Sequence, residues 1–396
     1  MFESLGPMPP DSILGLMQAF REDPRPGKID LGVGVYKDAN GETPVLSVVK
    51  KAEALRLENE SSKSYIGPAG AEGYNAAVQG LVFGSKASAS LDSRLSVVQT
   101  PGGCGALRVA AEFIGRCREN ATVHVPNPTW ANHIPLLGDA GLSIQEYPYL
   151  DRTTGTLRFD AMASYLGGLG PGDLVLLHGC CHNPCGVDLD QGQWQTVLEL
   201  AQQRGFTPFI DLAYQGFGDG LDEDAYGVRL LAEGLPEVIL ATSCSKNFGL
   251  YRERTGALTL LSGDSKVEAT TRSQLLNVIR GIYSMPPAHG SAIVETILTD
   301  AALRADWERE LAQMRDRING LRQLLVERFA VRGDGGRFGF IERQRGMFSF
   351  LGISPQQVES LRNDHAIYMV DSSRVNVAGA SHENVDRFCD AVMSVL

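Results

Sequence analysis

The sequence predicts an α/β protein: a mainly parallel sheet flanked by helices, joined to a smaller α+β unit. Three observations carry this. Short apolar, β-branched runs recur between residues 94 and 261. Helical patterns separate most of them, the alternation of a parallel sheet. After residue 290 the pattern changes to long helical stretches with a few strand-like segments.

Taken in order, the runs that read as buried strands are "RLSVVQT" (94–100), "TVHVPN" (122–127), "LVLLHGC" (174–180), "TPFIDLA" (207–213), "VILATSC" (238–244) and "GALTLL" (256–261). Between them, "ALRVAAEFIGRCRE" and "QWQTVLELAQQRG" have helical periodicity. "SAIVETILTDAALRADWERELAQMRDRINGLRQLLVERF" reads as one long helical stretch, with apolar residues three and four apart. "RFGFIERQRGMFSFLGI" reads as strands, and a helix–strand–helix tail follows. The residues before the alternation are expected to pack with this second unit.

Composition excludes several function classes. Lys and Arg total 36 against 47 Asp and Glu, a formal net charge of -11. That disfavours a general nucleic-acid binder, which needs basic surface to displace counterions. The chain is 43% hydrophobic and 21% charged, ordinary for a soluble globular protein. An odd count of seven cysteines fits reduced thiols in the cytoplasm better than a disulfide framework. The start, "MFESLGPMPPDS", does not read as a signal peptide. No run of about 18 apolar residues occurs, so no membrane span is expected.

The residues capable of chemistry fall where strands should end. In an open α/β sheet, ligands bind at the carboxyl ends of the strands. Gly102, Gly103, Cys104 and Gly105 follow one strand and open a helix, whose bare N–H groups and dipole favour an anion. Ser243, Ser245 and Arg254 in "SCSKNFGLYRER" complete a plausible phosphate cradle, since Arg binds two oxygens at once. Lys246 stands among them and could form an imine with a carbonyl compound. Taken alone it could equally be a surface lysine. A ligand bearing both a carbonyl and a phosphate accounts for both halves of the motif. Pyridoxal 5′-phosphate is one, and it needs a carboxylate against its ring nitrogen. Asp211, in an apolar strand, is placed for that.

The motifs "SKNFGLYRERTGA", "HGCCHNPCG", "IDLAYQGF", "NPTWANH", "YSMPPAHG" and "SSRVNVAG" resemble those of the class I pyridoxal-phosphate-dependent aminotransferases, in the bacterial aspartate and aromatic amino-acid branch. The resemblance runs in order from "LGVGVYKD" to "RVNVAG". It implies the fold-type I architecture: an N-terminal arm and part of the small domain in residues 1–43, a large cofactor domain in 44–310, and a small C-terminal domain in 311–396. It further implies a homodimer with shared active sites.

By the same resemblance, Lys246 holds the cofactor, Asp211 faces the ring nitrogen and His133 supports Asp211. Tyr214 and Asn183 flank the cofactor's phenolic oxygen, and Trp130 stacks on the ring. Gly103, Cys104, Ser243, Ser245 and Arg254 contact the phosphate, with Tyr65 reaching the phosphate of the neighbouring subunit. Arg374 clamps the substrate α-carboxylate. Arg280 is lent by the other subunit to a distal carboxylate. Gly34 lets a mobile segment close. The implied reaction is transamination with 2-oxoglutarate. Aspartate is the expected donor and aromatic amino acids further ones; the alternative is a tyrosine and phenylalanine enzyme with aspartate as a minor substrate.

Four residues depart from the pattern. Cys104 stands where the family has a Thr or Ser that donates to the phosphate, and a thiol is a weak donor. Cys185 replaces the Thr of "HNPTG". Ser64 and Met285 replace asparagines of the aspartate-specific members, and Met285 makes that edge of the pocket apolar. Lys37 and Thr43 remain as in the aspartate branch. "CCHNPC" fits no zinc spacing, so no metal is expected. A non-catalytic binding protein on this scaffold would be expected to lack Lys246, Asp211 or Arg374, and all three are present.

Overall fold

The computed structural model describes residues 2–7 and 12–396; residues 1 and 8–11 of the opening segment lie outside the described residues. Its strands are β1 (Ile29–Asp30), β2 (Leu95–Pro101), β3 (Thr122–Asn127), β4 (Ser143–Pro148), β5 (Leu150–Asp151), β6 (Thr156–Leu157), β7 (Leu174–His178), β8 (Thr207–Leu212), β9 (Val238–Ser243), β10 (Thr255–Leu261), β11 (Phe348–Phe350), β12 (Ile367–Tyr368) and β13 (Arg374–Asn376). Seven of these form one sheet in the order β2-β10-β9-β8-β7-β3-β4, in which only β10 runs antiparallel to its neighbours. This is the α/β class read from the sequence.

The six strand-like runs each became a strand of this sheet, with ends shifted by at most two residues. The reason is burial on both faces: every residue of β9 and β10 is buried, which demands a continuous apolar run. The seventh strand, β4, has no such run, because it lies at the sheet edge with most of "SIQEYP" outside the core.

Parallel β7, β8 and β9 place their carboxyl ends on one edge, with His178 paired to Asp211 and Asp211 to Ala241. The helix Gly102–Cys117 packs beside them, burying Ala106, Leu107, Val109, Ala110 and Ile114 against β9 and β10. Gly102 makes the tight entry possible: its φ is +71°, and a Cβ there would lie 2.5 Å from Arg254 Nη2.

The expected single helix after residue 290 is two, Ala288–Thr299 and Ala301–Ala330, divided at Asp300. The apolar period continues across the break, but the Asp300 carboxylate accepts the N–H groups of Ala302 and Leu303 at 2.8 and 2.9 Å and starts a new helix. The second helix buries Trp307, Leu311, Met314, Ile318, Leu321 and Leu325, one stripe at alternating four- and three-residue steps. Trp307 stacks on Phe248 at 4.4 Å and donates from Nε1 to the Asn247 carbonyl at 2.7 Å, so the helix grips the segment that follows Lys246. Further along, Arg317 donates to the carbonyls of Asp38 and Ala380 at 2.9 and 3.2 Å.

"RFGFIERQRGMFSFLGI" forms only one strand, β11; the rest is turns and a short 3-10 helix. Buried Arg322 takes over the backbone pairing that a strand would have supplied. Its guanidinium donates to the carbonyls of Ile341, Gly346 and Phe348 and to Ser349 Oγ. Both chain ends meet here: β1 pairs with β12, and β11 pairs antiparallel with β13, setting Phe350 opposite Arg374.

Candidate active site

A cavity of about 240 Å³ lies at the carboxyl ends of β7, β8 and β9. Gly34, Gly103, Cys104, Trp130, Asn183, Asp211, Tyr214, Ser243, Ser245, Lys246, Arg254 and Arg374 all line it. A wider cleft of about 590 Å³ adjoins it and shares Ile13, Trp130, Asn183 and Arg374. Residues from both chain ends and from the central sheet thus converge on one space.

Lys246 follows β9, and its Nζ lies 5.0 Å from the centre of the Tyr214 ring. Burial draws its ammonium below the ordinary lysine range, while the charge of Asp211 pulls the other way. Asp211 ends β8. Burial alone would raise its pKa, but the hydrogen bond from His133 Nε2 at 3.0 Å and nearby positive charge outweigh it, leaving the carboxyl below its usual range. It is therefore an ionised acid in a nearly dry place. His133 lies behind Asp211. Thr129 Oγ1 bridges His133 Nδ1 and His178 Nε2, at 2.8 and 3.1 Å. Burial drives His178 down to about 3, so it is neutral there.

The anion cradle forms at the start of the helix Gly102–Cys117. Arg254, itself at φ +51°, donates to the Tyr251 carbonyl at 2.7 Å and lies against Gly102. Ser243 Oγ accepts from Ser245 N at 3.2 Å. A Cβ on Gly103 would come within 3.2 Å of Ser243. Helix N–H groups, a guanidinium and two hydroxyls suit a dianionic phosphate.

On the opposite wall, Arg374 is only 6% exposed. Nη2 donates to the Gly32 carbonyl at 2.7 Å, Nη1 to Asn183 Oδ1 at 3.5 Å, and the guanidinium sits 4.3 Å over the Phe348 ring. Its buried Nε has no hydrogen-bond partner among the described residues. A buried cation with a spare donor calls for an anion. Tyr214 is buried, which pushes its phenol above the ordinary range.

Two expected residues lie elsewhere. Tyr65 is 91% exposed, and exposed Arg280 hydrogen-bonds Ser284. Neither lines this chain's cavity. Sequence reasoning missed Tyr251 and Phe348. Tyr251 lines the cavity and accepts from Tyr36 N at 2.8 Å; it stands inside the quoted "SKNFGLYRER". Phe348 supports Arg374 and limits Gly34, where a Cβ would meet its ring at 3.0 Å. In "CCHNPC", Cys185 Sγ and His182 Nδ1 contact each other at 3.1 Å. Cys180, Cys181 and Asp224 bring ligand-type atoms within 4.8 Å, but Asp224 already accepts the N–H groups of Gly216, Gly218 and Asp219.

The chain is similar to known proteins along nearly its whole length. The family described as "Aminotransferase class I and II" matches residues 26–392. An aspartate aminotransferase of Escherichia coli is 49% identical over 396 residues, covering all of both chains. An aromatic-amino-acid aminotransferase of Pseudomonas aeruginosa is 47% identical, covering all of this chain and 98% of its own. Among solved structures, an aromatic-amino-acid aminotransferase from Burkholderia pseudomallei, described as covalently bound to pyridoxal phosphate, superposes with a TM-score of 0.97 at 42% identity, covering all of this chain and 99% of its own.

Proposed function

The chain belongs to the class I and II aminotransferases, and from that premise we propose that it moves the amino group of aspartate, and of aromatic amino acids, to 2-oxoglutarate. It is a pyridoxal-phosphate-dependent aminotransferase of the fold-type I architecture. The residues fit that cofactor. The cradle around Gly103, Cys104, Ser243, Ser245 and Arg254 would hold the phosphate, Asp211 the ring nitrogen, Tyr214 and Asn183 the phenolic oxygen, and Trp130 a ring face. The cofactor supplies an aldehyde that condenses with amines and a ring that accepts an electron pair.

The chain's own residues do the rest. Arg374, which lines the cavity and is anchored by Gly32 and Asn183, offers its guanidinium charge to the α-carboxylate. Lys246, with an ammonium weakened by burial, takes the proton from the substrate Cα at Nζ and carries it for redelivery. Asp211, kept ionised by His133, holds positive charge opposite it. Phe348, Tyr214 and Trp130 exclude water.

The observation that carries this reading is one cavity lined by a charge-weakened lysine, an ionised aspartate and an arginine with a spare donor. In this reading Tyr65 and Arg280 act on the site of a second copy, which makes the working form a homodimer, and the chain divides at residues 43 and 310 into arm, large domain and small domain. The cytoplasm is the expected compartment; no helix among the described residues is long and apolar enough to cross a membrane. Met285 lies outside this chain's own cavity, as Arg280 does; acting with it on a second copy's site, it favours a second reading, in which aromatic donors outrank aspartate. Purified protein with cofactor and 2-oxoglutarate decides, by glutamate formed from aspartate, tyrosine and phenylalanine. No glutamate from any of the three would refute the proposed substrates.

A further inference from the structure

Asn183 reaches the cavity from a loop beyond the end of β7, not from a strand. What fixes that loop is a residue outside the cavity. Asp188 accepts the N–H of Cys181 on Oδ2 at 2.6 Å and the N–H of His182 on Oδ1 at 2.8 Å. Cys181 has a φ of +51°, in the left-handed region that residues other than glycine rarely occupy. Two charge-assisted bonds to adjacent amides hold that conformation. The Gly186 N–H donates back to the His182 carbonyl at 2.7 Å, and Cys185 Sγ meets His182 Nδ1 at 3.1 Å, so the loop closes around Asn183. It is also seated on the segment that carries Phe348. Arg345 N donates to the Gly186 carbonyl at 2.8 Å, and a Cβ on Gly186 would lie 2.5 Å from the Phe348 carbonyl.

We propose that Asp188 is a positioning residue for the reaction: through the amides of Cys181 and His182, its carboxylate aims the Asn183 side chain at the cofactor's phenolic oxygen. The inference rests on the role given to Asn183 above. The Asn183 oxygen accepts from Arg374 at 3.5 Å, which leaves its NH2 group to donate elsewhere. A bond donated to the phenolic oxygen disperses negative charge there. Displacing Asn183 leaves that charge in place and favours the protonated form of the neighbouring nitrogen, so the bound cofactor loses its proton at a higher pH.

Asp188→Asn keeps the shape but turns an NH2 group toward one of the two N–H groups, so one bond is lost. Burial raises the Asp188 pKa to about 7, with Asp224 adding to it, while the two N–H bonds and Arg345 oppose the rise. The contrast between Asp and Asn is therefore read above neutral pH.

The test follows the absorbance of the cofactor-loaded chain from about pH 5 to 10. Asn183→Ala is expected to raise the midpoint by about one unit, and Asp188→Asn by at least about half a unit. In the Asn183→Ala background Asp188→Asn should add less than about 0.2 unit, because the group through which it acts is gone. In the chain without cofactor, the amides of Cys181 and His182 should exchange hydrogen at least about tenfold faster in Asp188→Asn. Where that variant does not accumulate as folded protein, Asp188→Glu, which displaces both oxygens, takes its place with the same expected shifts. A midpoint unchanged in the residue-188 variant while Asn183→Ala moves it overturns the proposal. So does an equal shift with and without the Asn183 side chain, the result a merely structural loss would give. No shift from Asn183→Ala itself refutes instead the phenolic-oxygen role on which the proposal rests.

Discussion

Replacing Arg374 by Lys keeps the charge and removes the geometry. The guanidinium holds the Gly32 carbonyl at 2.7 Å, reaches Asn183 at 3.5 Å and lies on Phe348, with Nε left over. One ammonium nitrogen cannot hold Gly32, stack on Phe348 and meet a carboxylate with paired donors. Losing one hydrogen bond to a charged group costs about 1.5–3 kcal/mol, or about 10- to 140-fold in kcat/KM. The assay is steady-state transamination with aspartate and with tyrosine against 2-oxoglutarate. Both donors carry the same α-carboxylate, so both should fall by factors agreeing within about threefold. Cofactor absorbance titrations should match wild type, because Arg374 stands apart from the cradle. A kcat/KM near wild type, or a loss confined to one donor, would refute the carboxylate role.

Lys246→Ala should lower turnover by about 10²- to 10⁴-fold, and co-producing it with Arg280→Asp tests site sharing. If Arg280 serves a second copy, random pairing restores about one quarter of the sites for dicarboxylates; no recovery assigns Arg280 to its own chain. Trp307→Phe removes the donor to the buried Asn247 carbonyl and should cost about 1–3 kcal/mol in urea unfolding, whereas a change under about 0.5 kcal/mol would show the bond to be idle. Burial raises Asp188 to about 7, so between its unfolded value and 7 the folded state binds the extra proton and stability falls as pH rises. Asp188→Asn should therefore flatten the decline in Tm from pH 5 to 8; an unchanged slope would contradict the assignment.

Most of the sheet was legible because its central strands are enclosed on both faces and advertise themselves as apolar runs. β4 was not, since an edge strand with polar faces carries no such run. The division at Asp300 escaped because capping is a local event inside an unbroken apolar period. The strands read into 337–353 mostly failed, since Arg322 supplies from outside the segment the donors a sheet would have provided. At the site, residues ending strands were found from position alone. Tyr251 and Phe348 were not, because their placement depends on loops packing across the cavity. Tyr65 and Arg280 are exposed and lie outside their own chain's cavity, so no pattern of strand ends could have pointed to them.

The grip of Trp307 on the lysine segment has a mechanical corollary. Arg317, ten residues on, lies about 15 Å along the helix axis. With Trp307 as fulcrum, a tilt of about 5° gives a stroke of about 1.3 Å at Arg317, delivered through its bonds to Asp38 and Ala380. The stretch from Gly32 to Asp38 would travel with that lever while the amine stays still.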